Sequence, residues 1–505
     1  MPPERGPPRV LAVVVPALPL QRVLRTRPPA GPLAVVSEGE VRHATAPALA
    51  AGVRPGDSLV QARAACAGLE AVPLDAAADQ AALRALAEAL LSLSPVVEVA
   101  HPDAVLLDAG GARLAGKEPE EAERLLAERV LALCRDMGFA GWLAVADGKG
   151  VALSLARHAG RERTRAAPGQ GALALAPLPL AALDLSAEVL RWLSAVGVER
   201  VGALAALPAE TLAHRFGAPG AVAARLARGV DPRPLVPFAP ETFPRERWDL
   251  DGEVGVLESA EPVIFAAKRL ADRVAARLAG RGMGASRLRL TLFLDPRGEE
   301  RVDLPLARPG ADAALWLAPL RERLAGLRLP APVRAIDLAV VEAAEVPAEQ
   351  LAVGDRPEVA RALDVALSRL AARLGERSIL AAESADRHRP EAAYRVAPFR
   401  HEVAGRRTGP PEARPEPPHP GRPTRLLDPP RPVVALGEGG RLTSLRVEGT
   451  VRAVLSLSGP ERLAGEWWNE PFDRDYYRAR LEGLGEAWIY RDGRDGRLWL
   501  HGLFD

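Results

Sequence analysis

The sequence predicts an α+β protein of several domains, on three observations. The chain has 505 residues, enough for about three or four domains. Apolar runs of strand length and amphipathic helices interleave along its first part, with one antiparallel hairpin among them. A stretch with ten prolines, residues 409–432, then sets off a short end rich in aromatic side chains.

The elements follow in order. Val10–Val15 is a continuous apolar run, the pattern of a buried strand. Leu33–Ser37 reads as a second strand, and Ala46–Ala51 and Ser58–Ala67 as short helices around Gly52-Val53-Arg54-Pro55-Gly56. Asp79–Leu93 has the spacing of an amphipathic helix. In Val97–Gly111 two apolar runs flank a Pro-Asp pair, a hairpin that lifts Asp103 to its tip. Pro119–Met137 is a helix with proline at its first turn. Gly141–Asp147 is a strand, and Val151–His158 begins the next helix. Residues 1–185 thus form one α+β domain. Residues 186–237 read as short helices separated by Gly and Pro, and 238–250 as an extended linker. Residues 251–345 form a small α+β unit, with helix Glu261–Ala279, strand Ser286–Asp295, helix Ala311–Ala325 and strand Ala335–Glu342. The periodicity of Pro357–Leu374 makes 346–408 a helical connector. Residues 409–432 read as a stiff, extended linker unable to hold a central strand. The rest, 433–505, is a β-rich module, and nine of the chain's 21 Phe, Trp and Tyr residues lie in the last 40.

Composition excludes several classes. The chain is 48% hydrophobic and 26% charged, as ordinary globular proteins are. A net charge of +1 supplies no global field toward nucleic acid, so any such contact is local. Cys66 and Cys134 suggest neither a disulfide framework nor a zinc site, and the eight histidines have no ligand spacing. The N-terminus lacks the length and flanks of a signal peptide, and no apolar run is long enough to span a membrane. A cytoplasmic location is expected, with no membrane partner.

Two stretches carry a resemblance. One is Val13-Val14-Val15-Pro16-Ala17-Leu18-Pro19-Leu20-Gln21. The other is the tail, with Gly459-Pro460-Glu461-Arg462, Trp467-Trp468, Arg474-Asp475-Tyr476-Tyr477-Arg478 and Leu500-His501-Gly502-Leu503-Phe504. With the element order, they make the chain resemble the Y-family DNA polymerases of translesion synthesis over about residues 9–345. Within that family it is most similar to the ImuB-type branch, a polymerase-like accessory subunit of a bacterial mutagenesis complex. The resemblance implies a right-hand arrangement: a palm with inserted fingers in 1–185, a thumb in 186–237 and a little-finger-like domain in 251–345.

It also implies where chemistry would sit. Phosphoryl transfer to a primer needs two metal ions about 4 Å apart, held by hard oxygen ligands. The family takes one acid from the first palm strand and an adjacent pair from the hairpin. Those positions fall here at Val14, at Pro16 two residues on, and at Asp103 and Ala104, so one carboxylate remains. Asp108 lies roughly 13 Å along the strand from Ala104, too far to share an ion. Glu98 is on the other arm. The triphosphate contacts fall at Ala46 and Leu49, a phosphate-binding lysine near Leu153 with Lys149 close by, and the ribose gate at Leu18 or Pro19. None of the replaced side chains suits its task. The expectation is therefore no catalytic residue and no metal or cofactor, with Mg²⁺ needed only if residual polymerase activity exists. A turn residue capping its own backbone is the plainer account of Asp103.

Binding residues are expected elsewhere. In Ser286–Leu294 the leucines alternate with Arg287, Arg289, Thr291 and Phe293, one outward face suited to phosphates without reading sequence. A solvated face with charged gatekeepers is the alternative. Val196–Gly202 resembles part of a helix-hairpin-helix, and Arg225 and Arg228 are weaker DNA candidates. The resemblance implies primer-template DNA, an error-prone C-family DNA polymerase and a RecA-like accessory protein as partners. It extends to a sliding clamp, whose binding peptide is partly kept as Gln350-Leu351. Trp467, Trp468, Arg474, Tyr476, Tyr477 and Arg478 are either a partner surface or the core of a small domain. The reading is a non-catalytic scaffold; the alternatives are an active error-prone polymerase and a protein-only adaptor.

Overall fold

The computed structural model describes residues 8–26, 31–110, 118–250, 260–346, 378–398, 421–438, 441–468 and 470–504, with short pieces between 366 and 374. The chain forms two compact units, Met1–Glu376 and Arg377–Asp505.

Strand Arg9–Val14 lies at the centre of a five-stranded sheet. It runs antiparallel to Ala104–Asp108 on one side and to Trp142–Asp147 on the other. Val97–Ala100 and Arg163–Arg165 complete the edges. Both faces of the central strand are covered, which is why its sequence is apolar without alternation. Val10, Ala12 and Val14 pack with Leu155, Ala156, Leu212 and Ala224 from the helices on one face. Leu11, Val13 and Val15 pack with Leu83, Leu86, Leu126 and Val130 on the other. A separate three-stranded sheet of Leu33–Ser37, Glu40–Ala44 and Glu70–Pro73 holds the two short helices between its strands. The second of these, Leu59–Ala65, starts with a capping box between Ser58 and Gln61.

Helices Ala187–Ala195, Val201–Ala205 and Ala209–Ala227 follow. The last breaks at Gly217, whose φ of 65° only glycine adopts easily. The extended stretch beyond it is pinned to the hairpin edge: the Phe238 amide donates to the Val97 carbonyl at 2.6 Å. The expected linker 238–250 then contains a strand. Arg245–Asp249 pairs with Val333–Glu345 and closes one side of a four-stranded sheet. Met283–Leu294 and Glu299–Gly310 form the rest, under helices Ala260–Gly280 and Ala313–Ala325.

In the second unit the expected helical connector is corrected in part, since Leu380–Ser384 and Tyr394–Pro398 form a two-stranded ribbon. The linker reading of 409–432 is corrected from Arg425 on, and residues 409–420 lie outside the described residues. Arg425–Glu438 is the first strand of a closed six-stranded barrel that ends with Leu498–Leu503. Pro429 and Pro430 are tolerated because they fall in a ladder irregularity, between the pairs Leu426–Gly502 and Arg431–Leu500. An absent N–H costs no ladder bond at such a place.

Candidate functional site

The hairpin tip is the place to test for metal chemistry. Val14 stands opposite Ala104 across the strands. Both are buried among Ala12, Leu106 and Ala144, so apolar packing fills the space that ligands would need. Asp103 follows the cis bond His101–Pro102 by one residue, and its carbonyl accepts the Val15 amide at 2.8 Å. Its carboxylate takes the Arg157 guanidinium, at 2.6 Å from Nη2 and 3.2 Å from Nε. The carboxylate therefore pairs across the fold rather than with its own turn. Glu98 is held by Lys149 at 2.9 and 3.0 Å and accepts the Val236 amide at 2.7 Å. Asp108 accepts the Gly110 amide at 2.9 Å. Pro16 contributes its carbonyl, to Gln21. A pair of divalent ions does not fit this set. Arg157 occupies the carboxylate at the tip, and among the described residues no group of three His, Cys, Asp or Glu could hold an ion.

Beside the tip lies a cleft of about 570 Å³, walled by Ala17, Leu18, Pro19, His43, Asp79, His101 and Asp103 among others. Of the expected positions it holds the ribose-gate candidates Leu18 and Pro19 and the carboxylate of Asp103, and no Phe, Tyr or Trp lines it. Asp79 is tied to Arg22 at 2.5 Å, and burial pushes the His43 imidazole below its usual pKa. Ala46 and Leu49 are not in its wall, and Lys149 is committed to Glu98.

The outward face of the four-stranded sheet is a ladder of opposite charges. Arg289 holds Asp303 at 2.7 Å, Arg245 holds Asp337 at 2.6 Å and Arg247 holds Asp249 at 2.8 Å. Arg287 reaches Glu342 at 3.2 Å, and Arg301 pairs with Glu299. The hydrogen bonds from Arg289 hold the Asp303 carboxyl below its usual range, whereas burial holds that of Asp337 above it despite Arg245. Thr291, expected outside, is 8% exposed, closed over by its neighbours. Phe293 lies under Arg247, 4.6 Å from its guanidinium. The expected face is present, but its charge is balanced.

In the helical region Arg225 is exposed and Arg228 is not free: it donates to the Ala224 and Leu207 carbonyls. The turn after Ala187–Ala195 satisfies its own amides, Gly197 and Val198 donating to Ser194 and Leu193. Gln350 and Leu351 lie outside the described residues.

The barrel sorts the aromatic tail. Tyr476 is 1% exposed, stacked 3.9 Å from Trp488, with its hydroxyl 2.8 Å from His501 Nδ1. Arg474 is bound by both oxygens of Glu391, at 3.0 and 3.1 Å, and donates to the Tyr476 hydroxyl. Burial pushes the Tyr476 hydroxyl up and lowers His501 to about 4. Tyr477 packs partly buried against the apolar core, and Arg478 pairs with Glu486 under Phe504. Trp467 and Trp468 differ from these. They sit on a turn after strand Thr450–Gly465, edge to face at 5.4 Å, 79% and 71% exposed.

Comparison with known proteins places the sequence in a family. The family described as IMS, impB/mucB/samB, matches residues 20–157. Two curated relatives, each called Protein ImuB, come from Caulobacter vibrioides strains NA1000 / CB15N and ATCC 19089 / CIP 103742 / CB 15. Each is 33% identical over 490 residues, covering 90% of this chain and 100% of the relative. The chain belongs to the ImuB family. A match of that breadth reaches into the Arg377–Asp505 unit, so the family likeness is not confined to the first unit.

Three participants had no signal in the sequence of this ImuB-family chain. Arg157 lies 54 residues from Asp103 and Glu391 83 from Arg474, so only the fold brings them together. The third is Glu466, buried beside the exposed tryptophans.

Proposed function

We propose that the protein is a non-catalytic polymerase homologue that scaffolds damage-induced translesion synthesis and mutagenesis. The five-stranded sheet serves as palm and the three-stranded sheet as fingers. The helices of 187–227 serve as thumb, and the four-stranded sheet as a little-finger-like grip on primer-template DNA. An error-prone C-family polymerase and a RecA-like accessory protein are its protein partners, with a sliding clamp engaged through Gln350 and Leu351. The observation that carries this reading is the hairpin tip, where Val14 and Ala104 form an apolar pair and Arg157 neutralises Asp103. In a primer-extension assay with Mg²⁺ or Mn²⁺, the purified protein is expected to add no nucleotide. Incorporation that disappears in Asp103→Ala would sink the proposal in favour of an active polymerase.

A second reading, the protein-only adaptor, is favoured by the balanced charges on the sheet face. The DNA reading stands beside it because the Arg287–Glu342 and Arg289–Asp303 pairs are partly exposed and screened, so a phosphate can take over either arginine. Under the DNA reading, Arg287→Ala/Arg289→Ala weakens binding and reduces the slope of affinity against salt by about two. An unchanged slope favours the adaptor.

A further inference from the structure

The two exposed tryptophans border a cleft of about 550 Å³ whose wall includes Asp386, Arg387, His388 and Glu466. Glu466 is 6% exposed, yet neither carboxylate oxygen accepts a hydrogen bond. Its two arginine neighbours approach the same oxygen: Arg387 Nη1 and Arg389 Nη2 stand 3.6 and 3.5 Å from Oε2. Arg389 is committed to Glu470 at 2.9 Å. The wall itself carries two carboxylates, Asp386 and Glu466, and one guanidinium, Arg387, while Arg389, outside the wall, is shared between Glu466 and Glu470. A buried carboxylate without donors is costly. Two large apolar side chains left in water beside it are a surface kept for contact.

We propose that this cleft receives an arginine side chain presented by a protein partner. The guanidinium stacks against the Trp467–Trp468 pair and donates to Glu466. A planar guanidinium meets both demands at once, because it lies on an aromatic face and presents paired N–H donors to a carboxylate. An acidic wall disfavours a nucleic-acid phosphate, although exposed indoles can stack on bases. The inference rests on the proposed scaffold role, takes the partner-surface alternative for Trp467 and Trp468, and names the chemistry of that contact.

The test uses the full chain carrying 5-fluorotryptophan, with Trp467→Phe and Trp468→Phe assigning the two resonances. The probes are Ac-Gly-Arg-Gly-NH₂ and the same peptide with citrulline or norleucine at the centre. The arginine peptide is expected to shift both resonances with millimolar affinity and leave the other tryptophans unmoved. Citrulline and norleucine are expected to bind at least about tenfold more weakly, and Glu466→Gln to weaken the arginine peptide by about the same factor. Equal binding of the three peptides, or wild-type affinity in Glu466→Gln with the other tryptophan resonances in place, overturns the proposal. So does oligothymidylate shifting the two resonances more strongly than the arginine peptide, which makes the pair a base-stacking platform. Capture of a purified C-family polymerase separates the two levels. Loss of capture in Trp467→Ala/Trp468→Ala without any arginine-peptide shift ends this inference and leaves the partner reading standing. Unchanged capture with no shift ends both.

Discussion

At the scale of single residues, the hairpin tip is filled by apolar packing. Val14 is 3% and Ala104 0% exposed, and each packs in the core that joins the sheet to its helices. Restoring an acid there does not restore a site. Val14→Asp buries a carboxylate among apolar groups, and its transfer cost adds to the lost packing of about 1.5–3 kcal/mol. The variant is expected to melt well below the parent and still to show no Mn²⁺-dependent extension. A variant with unchanged melting temperature would contradict the packing described. The strand itself was legible from Val10–Val15. Arg157 was not, because nothing local in the sequence marks a charge pair formed 54 residues apart.

At the scale of elements, two packed junctions make predictions. Glu246, on the edge strand of the four-stranded sheet, is buried between Arg25 at 2.6 Å and Arg277 at 3.0 Å. Burial pushes its carboxyl up, but Arg25 and the other arginines prevail and hold it below its ordinary value. Glu246→Ala strands those guanidiniums, a loss of about 3–5 kcal/mol by the usual cost of breaking a buried pair. Thermal unfolding reads it, and a loss under one-third of that argues against the junction. In the barrel, burial lowers His501 from 6.5 to about 4. The folded state thus favours neutral imidazole, so its stabilisation is complete above pH 6.5 and is lost as pH falls toward 4. Glu391 is also held low, with Arg474 overcoming its burial, and loses stabilisation in the same direction. The barrel's melting temperature is expected to fall over that window, and the fall to shrink in His501→Gln. A flat profile in the parent would contradict the burial of His501. The barrel's first strand could not be seen in the sequence, because proline runs signal a linker unless a ladder irregularity accommodates them.

At the scale of the whole molecule, the two compact units divide the proposed labour. Residues 1–376 carry the hairpin tip and the arginine face, and 377–505 carry the exposed tryptophans. A chain ending at residue 376 is expected to keep its salt-dependent DNA affinity and to lose capture of the C-family polymerase. Capture retained by that fragment would move the partner surface into the first unit. The sequence by itself determined the buried strands, the hairpin, the alternating face at Arg287–Phe293 and the single carboxylate, Asp103, among Val14, Pro16, Asp103 and Ala104. Each of these depends on which residue types stand in which local order, and hydrophobic periodicity reports that directly. Only the tertiary structure decided which charges are spent. It gave Asp103 to Arg157, Arg289 to Asp303 and Arg474 to Glu391, buried Tyr476, and left Trp467 and Trp468 outside. The reason is physical: a charge is free or neutralised according to what lies within about 4 Å of it, and chain folding sets those neighbours across any distance in sequence.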